Sequence, residues 1–153
     1  MRRNIKAVCA VAVFALIGGC QATLAHQFQV SAGPAGGVPD EAVVRQVLAA
    51  AAHECQVEQR PPQPRYADSF VEYLSPRGDV QLVARQTHAL VVVDLWVWNG
   101  GTDSGDTGRF DDLTRTLREK LRQAFGARAW EATDKQLLPL VERGLAATPA
   151  DTH

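Results

Sequence analysis

Apolar residues recur at helical spacing in two stretches of the chain, and three stretches of strand-like pattern lie between them. Val44, Val47, Leu48, Ala51, Ala52 and Cys55 fall on one side of a helix over residues 40–57. Asp40 follows Pro39 and is its expected N-cap. Pro61, Pro62 and Pro64 then impose a loop. Residues 69–74, 80–85 and 89–98 read as three strands, joined by turns at 75–79 and 86–88. Connections this short make the strands an antiparallel meander. The third strand is apolar on both faces, from Leu90 to Trp98, apart from Asp94. Such a strand belongs at the centre of a sheet covered on both sides, or against a partner. A second helix is expected over 110–125, with Phe110, Leu113, Leu117, Leu121, Ala124 and Phe125 on its apolar face and Gly126 ending it. Residues 127–132 fit a short fourth strand carrying Trp130. Thr133 and Gln136 have capping-box spacing, and a last helix is expected over 139–147.

These elements predict an α+β fold in two layers: a three-stranded antiparallel meander packed by an N-terminal helix and C-terminal helices. One domain of residues 40–147 suits a chain of 153 residues. Residues 148–153 read as a disordered tail. Residues 20–39 are rich in Gly and Pro and read as a flexible tether. Phe28 and Val30 alternate with Gln27 and Gln29, so a short edge strand is the alternative there. Small envelope-assembly lipoproteins look similar at this level of fold, which by itself assigns no function.

The N-terminus has a different pattern. Arg2, Arg3 and Lys6 precede an uncharged apolar run from Ala7 to Ile17. That run is too short to span a bilayer, which takes about 20 apolar residues, but fits the core of a signal peptide. Ile17-Gly18-Gly19-Cys20 follows, and it resembles the lipobox of bacterial lipoproteins. The resemblance covers residues 1–20 and implies cleavage before Cys20, lipid on its sulfur and acylation of the new amine. It also implies a lipid-anchored protein on the periplasmic side of the cell envelope. Gln21, where Asp would retain the protein in the inner membrane, favours the outer membrane. The membrane is thus one expected partner, through lipid on Cys20, and another envelope component is a second.

Charge narrows the choice of partners. Of 16 basic and 17 acidic side chains, three basic ones leave with residues 1–19, so 13 remain against 17 and the mature net charge is −4. Nucleic acid is not an expected partner of such a chain. After loss of Cys9 and acylation of Cys20, Cys55 is the remaining thiol, so the mature chain holds no internal disulfide.

No motif carries a complete chemistry. His53-Glu54-Cys55 lacks the second His that a zinc-protease helix needs at position 57, where Val57 stands. Gly100 to Thr107 has the glycines of a phosphate loop, but Asp106 replaces its lysine. Read as a calcium loop from Asp103, it offers Gly105 and Thr114 where ligands are required. Asp94, if buried, needs a partner such as an arginine. It lacks the second carboxylate of a glycosidase pair.

Three functions remain as expectations, with no cofactor and no metal. The first is a non-catalytic accessory protein that binds an envelope component through a sheet face or edge. The second is a lipid or small-ligand carrier with an apolar pocket between helix and sheet near Trp96 and Trp98. These two share a strand face with Leu90 and Val92 and are either core or a binding surface. The third and least favoured is a hydrolase built on Cys55, His88 and Asp94.

Overall fold

A computed structural model of the chain describes residues 20–61, 68–100 and 106–138, with the backbone alone at 20–25 and 98–100. The signal peptide expected at 1–19, the helix expected at 139–147, the tail expected at 148–153 and residues 62–67 and 101–105 lie outside the described residues. The fold is α+β, with one antiparallel sheet of six strands and two helices. In chain order these are β1 (Cys20–Ser31), α1 (Glu41–Glu54), β2 (Glu58–Arg60), β3 (Ser69–Leu74), β4 (Val80–Thr87), β5 (Leu90–Gly100), α2 (Thr107–Phe125) and β6 (Ala129–Glu131). Across the sheet the order is β2-β3-β4-β5-β1-β6.

Two expectations change here. The three-stranded meander is present as β3, β4 and β5, but it is only half of the sheet. The stretch 20–39 is not a tether throughout. Its first twelve residues form β1, which lies between β5 and β6. This placement answers the apolar character of β5. A strand apolar on both faces is unsuited to the edge of a three-stranded meander, and β1 makes it internal. Residues 58–60, which follow the expected helix and enter the expected loop, instead pair with Glu72–Leu74 as β2.

Local signals explain the helices. Asp40 accepts from the Ala42 amide at 2.9 Å and starts α1. The side chain of Asp106 accepts from the Arg109 amide at 2.9 Å, so α2 begins three residues before the apolar periodicity does. Gly126 ends α2 at φ +58, a conformation that glycine adopts at little cost.

Both helices pack on one face of the sheet. Val44, Leu48, Ala51 and Ala52 of α1 join Phe110, Leu113, Leu117, Leu121 and Phe125 of α2 in a single core. The sheet contributes Phe28, Val30, Val71, Tyr73, Val80, Leu82, Ala84, Val91, Val93, Leu95 and Val97. Strand alternation sends the intervening residues to the other face. That face is buried as well, yet it is largely polar: Gln27, Gln29, Glu72, Gln81, Arg85 and Asp94 lie there with Val83 and Val92.

Each of these polar groups is matched. Arg85 Nε donates to Asp94 Oδ2 at 2.8 Å, with the two side chains 4% and 9% exposed. Gln27 Nε2 donates to Asp94 Oδ1 at 2.7 Å, and Gln29 Nε2 donates to Gln27 Oε1 at 2.8 Å. Gln81 Nε2 donates to Glu72 Oε1 at 2.6 Å. The network also holds the segment after β6. Leu138 O accepts from Arg85 Nη2 at 2.7 Å and from Gln27 Nε2 at 3.0 Å, and the Leu138 amide donates back to Gln27 Oε1 at 3.0 Å. Gln136 O accepts from Gln29 Nε2 at 2.7 Å. Burial pushes the Asp94 carboxyl above its ordinary value, while the Arg85 charge and the hydrogen bonds from Arg85 and Gln27 act in the opposite direction.

Removing one member of a buried pair strands the other charge. Asp94→Asn is expected to destabilise the domain by about 3–5 kcal/mol, and Arg85→Met with Asp94→Leu should recover most of that loss. Urea unfolding of the three proteins checks this, and a double variant no more stable than Asp94→Asn would contradict it.

Candidate functional site

The outer edge of β1 is the first feature that sets this sheet apart. Along its inner edge β1 pairs with β5 from Cys20↔Gly100 to Ser31↔Leu90. Along its outer edge β6 pairs only with Phe28, Gln29 and Val30. The Ala132 amide extends this contact by donating to Gln27 O at 2.9 Å. From Cys20 to His26 the outer edge meets no strand among the described residues. Its sequence there is Cys-Gln-Ala-Thr-Leu-Ala-His, without a charged residue or a proline. Those are the residues that usually guard an edge against pairing. A bulge between Ala22 and Leu24 does interrupt it. The opposite edge is guarded differently: β2 has three residues, all exposed, of which Glu58 and Arg60 are charged.

Backbone alternation fixes what this edge presents. Gln27 O points outward, towards Ala132. Two residues back, Ala25 therefore turns its N–H and C=O to the same outer side.

Beside β6 lies an open cleft of about 300 Å³, lined by Phe28, Arg118, Leu121, Arg122, Trp130 and Glu131, with Ala129 also at its wall. Arg118 holds Glu131 through both carboxylate oxygens, Nε donating to Oε1 and Nη2 to Oε2. His26 Nε2 comes within 2.9 Å of Glu131 Oε2 but lacks hydrogen-bond alignment, so proximity rather than a directed bond links them. The Arg118 hydrogen bond holds the Glu131 carboxyl below its ordinary value, against a smaller opposing effect of burial. A second cleft, of about 340 Å³, is lined by Glu41, Asp68, Phe70, Gln86 and His88.

The residues singled out from sequence fall in separate places. Cys20 is the first residue of β1, opposite Gly100. Trp96 is half-buried and shares the polar face with Asp94, pointing away from both helices. A pocket between helix and sheet therefore does not form at Trp96, and neither cleft is lined by it. Trp98 pairs with Ala22 at the Cys20 end.

The Cys55, His88 and Asp94 set is not assembled. Cys55 lies at the end of α1 and its thiol contacts Thr116 Oγ1 of α2 at 3.7 Å. Asp94 is on the far side of the sheet, held by Arg85 and Gln27. His88 is in the β4–β5 turn. Burial pushes the Cys55 thiol up, the Thr116 contact opposing it, so the thiolate is disfavoured. Among the described residues no three His, Cys, Asp or Glu side chains are grouped to hold a metal, and no helix is long and apolar enough to cross a membrane.

Sequence reasoning missed the reach of β1 and the roles of Gln27, Gln29 and Arg118. The one signal for the glutamines is their alternation with Phe28 and Val30. Arg85 fits the expectation that a buried Asp94 takes an arginine partner. No protein-family model and no curated protein matches this chain.

Two solution measurements follow from these groups. Native Cys55, studied with Cys20→Ser, should alkylate more slowly at pH 8 than the same thiol in the unfolded chain, because burial raises its pKa; an equal or faster native rate would contradict the placement. Glu131 has a lowered pKa, so its contribution is present above the ordinary glutamate value and is lost as pH falls through its folded value. Wild type should therefore exceed Glu131→Gln in stability by up to about 1 kcal/mol at neutral pH, with the gap closing in acid; thermal melts at both pH values read the difference.

Proposed function

We propose that this chain is a membrane-anchored, non-catalytic accessory protein of the cell envelope. In this reading lipid on Cys20 holds it on the periplasmic side, with the outer membrane favoured by Gln21. It binds another envelope protein by taking an extended segment of that partner along the outer edge of β1.

The observation that carries the reading is the contrast between the two edges of the sheet. Strand addition needs a row of outward N–H and C=O groups and no charge or proline in the way. The edge from Cys20 to His26 meets that description, and β2 does not. The dispersal of Cys55, His88 and Asp94 to different parts of the fold supports a binding role over a hydrolytic one. Trp96, half-buried on the polar face, is a less suitable pocket wall than the ligand-carrier alternative requires.

Proline at an outward-facing edge position removes one N–H without breaking the inner ladder. A photo-cross-linking residue at Thr23 is expected to capture a discrete envelope protein, and adding Ala25→Pro should abolish that adduct while the domain stays folded. The same cross-linker at Glu119, on the outer side of α2, should give no such adduct. An adduct that survives Ala25→Pro, or none at Thr23, would overturn the edge as the binding site.

A further inference from the structure

We infer that the Cys20 end of the sheet rests directly on the bilayer, so that the domain stands end-on at the membrane with the β5–β1 pair near Trp98 in the interfacial layer. This rests on the reading of Cys20 as the lipid site. What it adds is the orientation and the contact surface, and these come from the strand register.

Cys20 is already in the sheet, opposite Gly100, so no spacer separates the anchor from the folded domain. The next pairs are Ala22↔Trp98 and, past the bulge, Ala25↔Trp96. At about 3.3 Å per residue, Trp98 lies roughly 7 Å along the strand from the level of Cys20, and Trp96 roughly 13 Å. Each interfacial layer of a bilayer is on the order of 5–8 Å deep, so Trp98 falls within it. Tryptophan is the residue most at home there, with an apolar ring and one polar N–H. Trp130 is opposite Gln29, roughly 30 Å along the same strand, well beyond the headgroups.

The other surfaces do not fit a flat arrangement. The outer side of α2 carries exposed Asp111, Asp112, Arg115, Glu119 and Arg122, and α1 exposes Glu41 and Glu54. The segment crossing the polar face exposes Asp134 and Lys135. Laying any of these against the bilayer would desolvate charge along a whole face. The Cys20 end carries exposed charge as well, at Arg77 and Glu58, so the orientation rests on the strand register and not on a charge-free surface. The same end carries the β3–β4 turn, with Pro76 and Arg77 exposed. The opposite end carries the β4–β5 turn at His88 and Ala89.

The test uses acylated protein recovered from membranes and reconstituted into phosphatidylcholine vesicles with brominated acyl chains, which quench nearby tryptophan. Single-tryptophan proteins are compared, the other two tryptophans being changed to Phe. Trp98 should lose most of its emission and Trp130 almost none. Because tryptophan changes perturb packing, a second measurement places an environment-sensitive label on Pro76→Cys or Ala89→Cys, with Cys55→Ala in both. Only the first label should shift to the blue on vesicles. Mass spectrometry of the same preparation reports acylation at Cys20. Acylated protein with Trp98 and Trp130 quenched alike, and both labels alike, overturns the end-on orientation while leaving the lipid anchor intact. Protein recovered without acyl chains on Cys20 removes the anchor and the orientation together.

Discussion

The buried pair of Arg85 and Asp94 is the constraint around which this sheet is organised. Two opposite charges on neighbouring strands, nearly out of water, have to satisfy each other and then find donors and acceptors for what remains. Gln27 of β1 supplies the donor for the second carboxylate oxygen, and the carbonyl of Leu138 supplies an acceptor for the guanidinium. The pair therefore ties β4 and β5 to a strand far earlier in the chain and to a segment far later. A sheet closed by apolar contacts alone would have less reason to admit β1 in one register. With side-chain period two, a slip of one residue would turn Gln27 and Gln29 into the helix-side core and strand Phe28 among polar groups.

That constraint divides the molecule into two dissimilar faces. Under the helices, close-packed aliphatic residues and a few aromatics supply the hydrophobic driving force. On the other face, side-chain amides and a salt bridge supply direction. Gln27 contacts the main chain of Leu138 through both its oxygen and its nitrogen, which fixes the position of an otherwise exposed strap without reading its side chains. Polar groups placed this way contribute little net stability but discriminate strongly among arrangements, since a misplaced partner leaves a buried group unmatched.

The open part of β1 is a consequence of the same arrangement. β6 is too short to cover more than three residues of its neighbour, and the chain then leaves the edge to cross the polar face. Among the described residues, the strand beyond is paired from one side only. In the proposed reading, this edge lies towards the Cys20 end and would suit a partner segment that emerges from the same membrane, which would link the accessory role to the end-on orientation.

Much of this was legible in the chain itself. Periodicity places α1, α2 and the three meander strands close to their observed bounds, because each buries one continuous apolar face and needs no distant partner to be recognised. The lipobox-like residues and the missing catalytic spacings are also local patterns. The sequence alone did not reveal that residues 20–31 form an internal strand. Gln27 and Gln29 look like solvent-facing residues until Asp94, Gln136 and Leu138 arrive to satisfy them. The sequence likewise left Trp96 undecided between core and surface, because strand alternation sorts residues into two faces without saying which one the helices cover. Tertiary structure settled those points for one physical reason: the burial of a polar side chain depends on partners that lie 67 or 111 residues away along the chain, and a window of local sequence does not contain them.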